Sequence, residues 1–133
     1  LLLVDDVMTS GATLHEAALA LRRAGKLVDL APEGLFPDGA TVDADGNLWN
    51  AQWGAGRVAC YSPEGKFLRA IAFDAAQTSC PAFGGPGFST LYCTTALEGM
   101  SEAERTAHPL SGATFAADPG TRGLAEPPVD LGN

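Results

Sequence analysis

Residues 35–73 read LFPDGATVDADGNLWNAQWGAGRVACYSPEGKFLRAIAF. Apolar and polar residues alternate along this stretch, and turn-forming clusters recur at short intervals. Asp45-Gly46-Asn47, Gly54-Ala55-Gly56 and Ser62-Pro63-Glu64-Gly65 carry the residue types that tight turns demand. Between these clusters, the period of two predicts strands over residues 40–43, 48–53, 57–61 and 67–73.

Four short antiparallel strands joined in sequence by tight turns make one blade of a β-propeller. A second set follows at residues 80–83, 91–95 and 113–117. The stretch between the last two, ALEGMSEAERTAHPL at 96–110, is a polar insertion with a short helix expected around residues 101–106. Residues 123–133 contain Pro127-Pro128 and are expected to be extended or disordered.

Several side chains read as structural. Trp49, Trp53, Phe67 and Phe73 are expected in the core of the first strand set. Asp43-Ala44-Asp45-Gly46-Asn47 begins like a calcium loop but lacks the third acidic position and the distal bidentate glutamate, so it reads as a hairpin turn. Cys60, Cys80 and Cys93 are odd in number and show no C-x-x-C spacing. They are expected to be buried thiols rather than a disulfide framework or zinc knuckle. His15, on a helix beside Glu16, and His108, before Pro109, have no nucleophile at a readable spacing.

Bulk properties exclude some partners. The 133-residue chain has a formal charge of −8 and 46% hydrophobic residues. An acidic surface without a Lys/Arg cluster repels phosphate backbones and anionic membranes, so no nucleic-acid or membrane partner is expected. No apolar run approaches the roughly 20 residues that span a bilayer, and no leader pattern is seen. The cytoplasm is the default compartment. The chain opens at Leu1 inside an apolar run, from which further residues upstream are expected.

The first 25 residues have a different character. LLLVDDVMTSGATLHEAALALRRAG opens with an apolar strand, then Asp5-Asp6, a Thr/Ser-Gly loop and a helix over residues 13–24. Thr13 and Glu16 have capping-box spacing, and Gly25 suits the helix end. This run resembles the PRPP-binding motif of type I phosphoribosyltransferases, in the ComF-like form. The resemblance implies that Asp5 and Asp6 face ribose hydroxyls, while Thr9, Ser10, Gly11 and Thr13 wrap a phosphate at a helix N-terminus. One strand and one helix cannot build the parallel sheet that phosphoribosyl transfer needs.

Residues 35–73, together with SCPAFGGPGFSTLYCTTA at 79–96, resemble the SMP-30/gluconolactonase/regucalcin family. The resemblance lies in P-D-G-x-x-x-D-x-x-G-x-L-W, W-G-x-G-R-V, C-P-A-F-G-G and the late G-A-x-F-x-x-D-P-G. It implies a mainly β fold: an incomplete β-propeller of about two antiparallel blades of a six-bladed ring, preceded by the short strand, loop and helix. Three regions follow: 1–25 phosphoribosyltransferase-like, 26–122 SMP-30-like and 123–133 a tail, with the seam between Arg22 and Asp29.

The resemblance also implies a metal-dependent hydrolase of small sugar lactones, with Asp38 both a metal ligand and a helper in activating water. A hard oxygen ligand suits Ca²⁺, Mg²⁺, Mn²⁺ or Zn²⁺ without choosing among them. Without the resemblance, Pro37-Asp38-Gly39 reads as an ordinary turn. The family's other metal ligands, a glutamate and an asparagine, belong upstream; Glu33 and Asn47 do not match them. Impaired or absent activity is therefore expected, together with marginal stability from open sheet faces. The alternatives are a non-catalytic β-rich remnant or interaction module, and a PRPP-binding fragment.

Overall fold

The computed structural model describes residues 36–125. The expectations for residues 1–25, for the seam and for most of the tail lie outside this span. So do all the PRPP-type positions: Asp5, Asp6, Thr9, Ser10, Gly11 and Thr13.

The described chain is mainly β, in two antiparallel sheets. The first comprises β1 (Phe36–Val42), β2 (Leu48–Trp53), β3 (Arg57–Tyr61) and β4 (Phe67–Ala72), paired in sequence order. The second comprises β5 (Thr78–Gly84), β6 (Thr90–Thr95) and β7 (Thr114–Ala117), again in sequence order. A 3-10 turn, Pro86–Phe88, lies between β5 and β6. The polar insertion carries one short helix, α1 (Glu102–Ala107). Ser101 caps it, with Glu104 closing a reciprocal capping box.

The period of two located six of the strands to within a few residues at each end. β1 differs, because it starts at Phe36 and takes Pro37-Asp38-Gly39 into the strand. A proline is tolerated there because β1 is an edge strand, where a missing N–H breaks no ladder between two neighbours.

The Asp43 carboxylate organises the first hairpin. Its Oδ1 accepts from the backbone N–H groups of Asp45 (3.0 Å) and Asn47 (2.9 Å). Its Oδ2 accepts from Asn47 Nδ2 (3.0 Å) and Trp49 Nε1 (2.9 Å). Gly46 takes φ 82° in this turn, a conformation that suits glycine. The four donors explain how a carboxylate with 0% exposure is tolerated. This is the expected hairpin, with its acid spent on protein hydrogen bonds.

Strand alternation sends β2 side chains to two cores. Leu48 joins Val42, Ala59 and Tyr61 on one face. Trp49 and Ala51 join Val58, Cys60, Leu91 and Cys93 on the other, which packs the two sheets together. The hydroxyl of Thr78, fully buried on β5, lies within hydrogen-bonding reach of the carbonyls of Gln52 (3.1 Å) and Arg57 (3.0 Å) and shares its one proton between them, tying the second sheet to the first. Beyond β7, the Arg122 carbonyl accepts from Ala44 N–H (2.8 Å), and Gly123 bridges to Asp43.

The core expectations are met in part, and Phe67 needs correction. Phe67 is 49% exposed and only stacks edge-on against Tyr61, because β4 is the outer edge of its sheet. Trp53 and Phe73 are half-buried, Phe73 against the inter-sheet core. Trp49 is wholly buried as expected. Among the described residues, no helix is long and apolar enough to cross a membrane.

Candidate functional site

Asp38 lies on β1 where the strand pairing steps. Pro37 stands opposite Gln52 and Ala40 opposite Asn50, so Asp38 and Gly39 together face the single residue Ala51. Two residues against one is a β-bulge, a device that bends a strand and re-aims a side chain. The Pro-Asp-Gly run therefore acts as a bulge inside a strand. Asp38 is exposed there.

Gly39 has a steric reason to be glycine. A Cβ at this position would stand 2.8 Å from the Ser79 carbonyl oxygen, 2.9 Å from Cys80 Cα and 3.1 Å from Cys80 Sγ. The first strands of the two sheets thus approach closely beside Asp38. β5 carries a matching step: Thr78 faces Thr95 and Pro81 faces Cys93, leaving Ser79 and Cys80 against Thr94. The Thr94 hydroxyl accepts from Cys80 N–H (3.1 Å) and donates to the Cys80 carbonyl (3.4 Å). The two bulges meet at Gly39.

The three cysteines divide by environment. Burial, with the Asp43 charge adding to it, pushes the Cys60 thiol from its ordinary 9.0 up to about 11. Burial likewise raises Cys93 to about 11, against a lowering backbone hydrogen bond from Ser79; smaller raising contributions come from Cys80 and Asp38. Cys80 is exposed, contrary to the expectation of three buried thiols, because the β5 bulge turns it out.

At about pH 8, a thiol reagent is expected to label Cys80 well before Cys60 or Cys93, since the thiolate is the reactive form. Mass-spectrometric mapping would check this; labelling of Cys93 first would contradict it. Stability follows the same shifts. Between the ordinary 9.0 and about 11, the unfolded thiols lose protons that the folded ones keep, so stability falls as pH rises through that window.

Other polar groups are structural. Arg57 Nε donates to Gln52 Oε1 (2.6 Å), and Gln52 Nε2 donates to the Tyr61 hydroxyl (2.9 Å). A shallow cleft lined by Ser89, Thr90, Ala116, Ala117 and Asp118 lies at the opposite end of the second sheet from the β5 bulge. It includes Asp118 of the late G-A-x-F-x-x-D-P-G motif but no candidate site residue from the sequence.

Among the described residues, no group of three or more His, Cys, Asp or Glu side chains could hold a metal. Asp38 offers one hard oxygen donor of the right chemistry for a divalent cation. The described residues therefore fit such an ion in the kind of ligand but do not complete its coordination.

Residues 8–97 match the SMP-30/Gluconolactonase/LRE-like region. The chain belongs to this family. It is 44% identical over 89 residues to the L-arabinolactonase of Azospirillum brasilense, covering 67% of this chain and 29% of that protein. It is 42% identical over 91 residues to the 6-deoxy-6-sulfogluconolactonase of Pseudomonas putida, covering 68% of this chain and 31% of that one. The crystal structure of a calcium-binding regucalcin from Agrobacterium tumefaciens is similar, with a TM-score of 0.71 and 36% identity over 77% of this chain and 35% of that chain. The chain thus spans about a third of the length of the relatives it matches.

The family match begins at residue 8 and crosses the expected seam. The phosphoribosyltransferase resemblance of residues 1–25 finds no support in these matches.

Proposed function

We propose that this chain is part of a metal-dependent sugar-lactone hydrolase, with Asp38 on its reaction centre. The observation that carries the reading is the placement of Asp38 at a bulge, exposed, beside the close approach of β1 and β5. Membership of a family whose named relatives include lactonases supports the chemistry. In this reading the two sheets are consecutive blades of a propeller, and β1 and β5 are their innermost strands beside the central axis.

The reaction asks for a base near a lactone carbonyl. The Asp38 carboxylate takes a proton from water, the hydroxide oxygen bonds to the carbonyl carbon, and the ring C–O bond breaks. The leaving ring oxygen gains a proton, giving the open hydroxy acid. Positioned general-base catalysis contributes on the order of 10²–10⁴ in rate. A bound Ca²⁺, Mg²⁺, Mn²⁺ or Zn²⁺ would supply Lewis-acid polarisation of the carbonyl, with Asp38 as one ligand.

The test is acid release from a panel of sugar lactones, followed at constant pH on the full protein. Ring opening that is lost on chelation and restored by one divalent cation is expected. Activity indifferent to chelation would remove the metal from the reading. A panel left entirely unopened would overturn the lactonase assignment.

A further inference from the structure

We infer that Asn50 is a positioning residue for Asp38, locking the bulge that presents its carboxylate; this inference rests on the lactonase reading of Asp38. The bulge places Asp38 and Gly39 opposite one residue, so their carbonyls leave the regular pairing register. Carbonyls displaced in this way need donors from elsewhere when they are shielded from water.

Asn50, on the neighbouring strand β2, supplies both. Its Nδ2 donates to the Asp38 carbonyl (2.9 Å) and to the Gly39 carbonyl (3.2 Å). Only the NH₂ end of the amide can serve two carbonyls. Turned over, Oδ1 would oppose them. Asn50 is only 5% exposed, and its Oδ1 is buried with no hydrogen-bond partner. The amide orientation is therefore set by the bulge alone among the described residues. On the other side, Gly39 is pressed against Ser79 and Cys80 of β5. Asp38 is held between a hydrogen-bonded clamp and a steric stop.

The second sheet provides an internal control. The buried Thr95 hydroxyl on β6 accepts from Gly112 N–H (3.0 Å) and donates to the Ala113 carbonyl (2.7 Å), so it too ties backbone outside its own strand, but neither partner belongs to β1 or to the β5 bulge. A general need for buried backbone ties would make the two equivalent. A role in presenting Asp38 makes them different.

The experiment compares Asn50→Leu, which keeps the shape and removes the donors, with Thr95→Val, in the full protein acting on D-glucono-δ-lactone. Asn50→Leu is expected to lower kcat by about ten- to hundredfold, as supporting shells of a site do, with little change in KM and a retained thermal transition. Thr95→Val is expected to retain kcat. If Asn50→Leu does not fold, Asn50→Ser carries the same comparison. Full kcat in the Asn50 variant, or an equal loss in Thr95→Val, overturns the inference while leaving the lactonase reading intact. A wild-type protein no faster than Asp38→Asn overturns the reading itself, and this inference with it.

Discussion

Trp49→Ala is expected to lower the unfolding free energy by about 3–5 kcal/mol, the range for truncating a fully buried tryptophan. The ring has no exposed surface and sits in the core that joins the two sheets. It meets Phe83 edge-on at 5.9 Å, and the Arg69 guanidinium lies 5.2 Å from its centroid. Its Nε1 is one of four donors to the buried Asp43 carboxylate. Truncation would open a cavity and leave that charge one hydrogen bond short. Trp49→Phe separates the two effects, since most of the packing survives; a loss of about 1–3 kcal/mol is expected from the missing bond to a charged group. Urea unfolding followed by circular dichroism measures both. Equal losses in the two variants would assign the effect to the hydrogen bond, against the packing argument.

Gly39→Ala is expected to cost about 1–3 kcal/mol, as overpacking does, and to cut lactone turnover by roughly a hundredfold, the scale for a misplacement of about 1 Å near a reacting group. The atoms a new Cβ would meet are Ser79 O and Cys80 Cα, both backbone, together with Cys80 Sγ. No rotamer change relieves the two backbone contacts, so β1 must move away from β5 and carry Asp38 with it. Turnover per folded molecule is the quantity to compare. Wild-type turnover in Gly39→Ala would show that the β1–β5 approach does not set the position of Asp38.

Much of the strand layout was legible because it is local. Alternation and turn composition marked β2 and β3 at the residues where they form, and the Asp45-Gly46-Asn47 turn closes as its residue types require. The short helix was also locally encoded, with Ser101 and Glu104 at capping-box spacing.

The unread features depend on partners far along the chain. Pro37-Asp38-Gly39 has the composition of a turn, and only its register against β2 makes it a bulge. Nothing adjacent to Asn50 in sequence announces hydrogen bonds eleven and twelve residues away. The exposure of Phe67 and Cys80 follows from an outer edge strand and a second bulge, both set by tertiary pairing. The role proposed for Asp38 rests on the family motif, since its residue type and neighbours alone point to an ordinary turn.

The most direct test of the central claim is the initial rate of D-glucono-δ-lactone opening by the full protein and by its Asp38→Asn variant, with unfolding midpoints measured alongside. A rate lower by about 10²–10⁴ is expected in the variant, at an unchanged midpoint. Equal rates in the two proteins would contradict it.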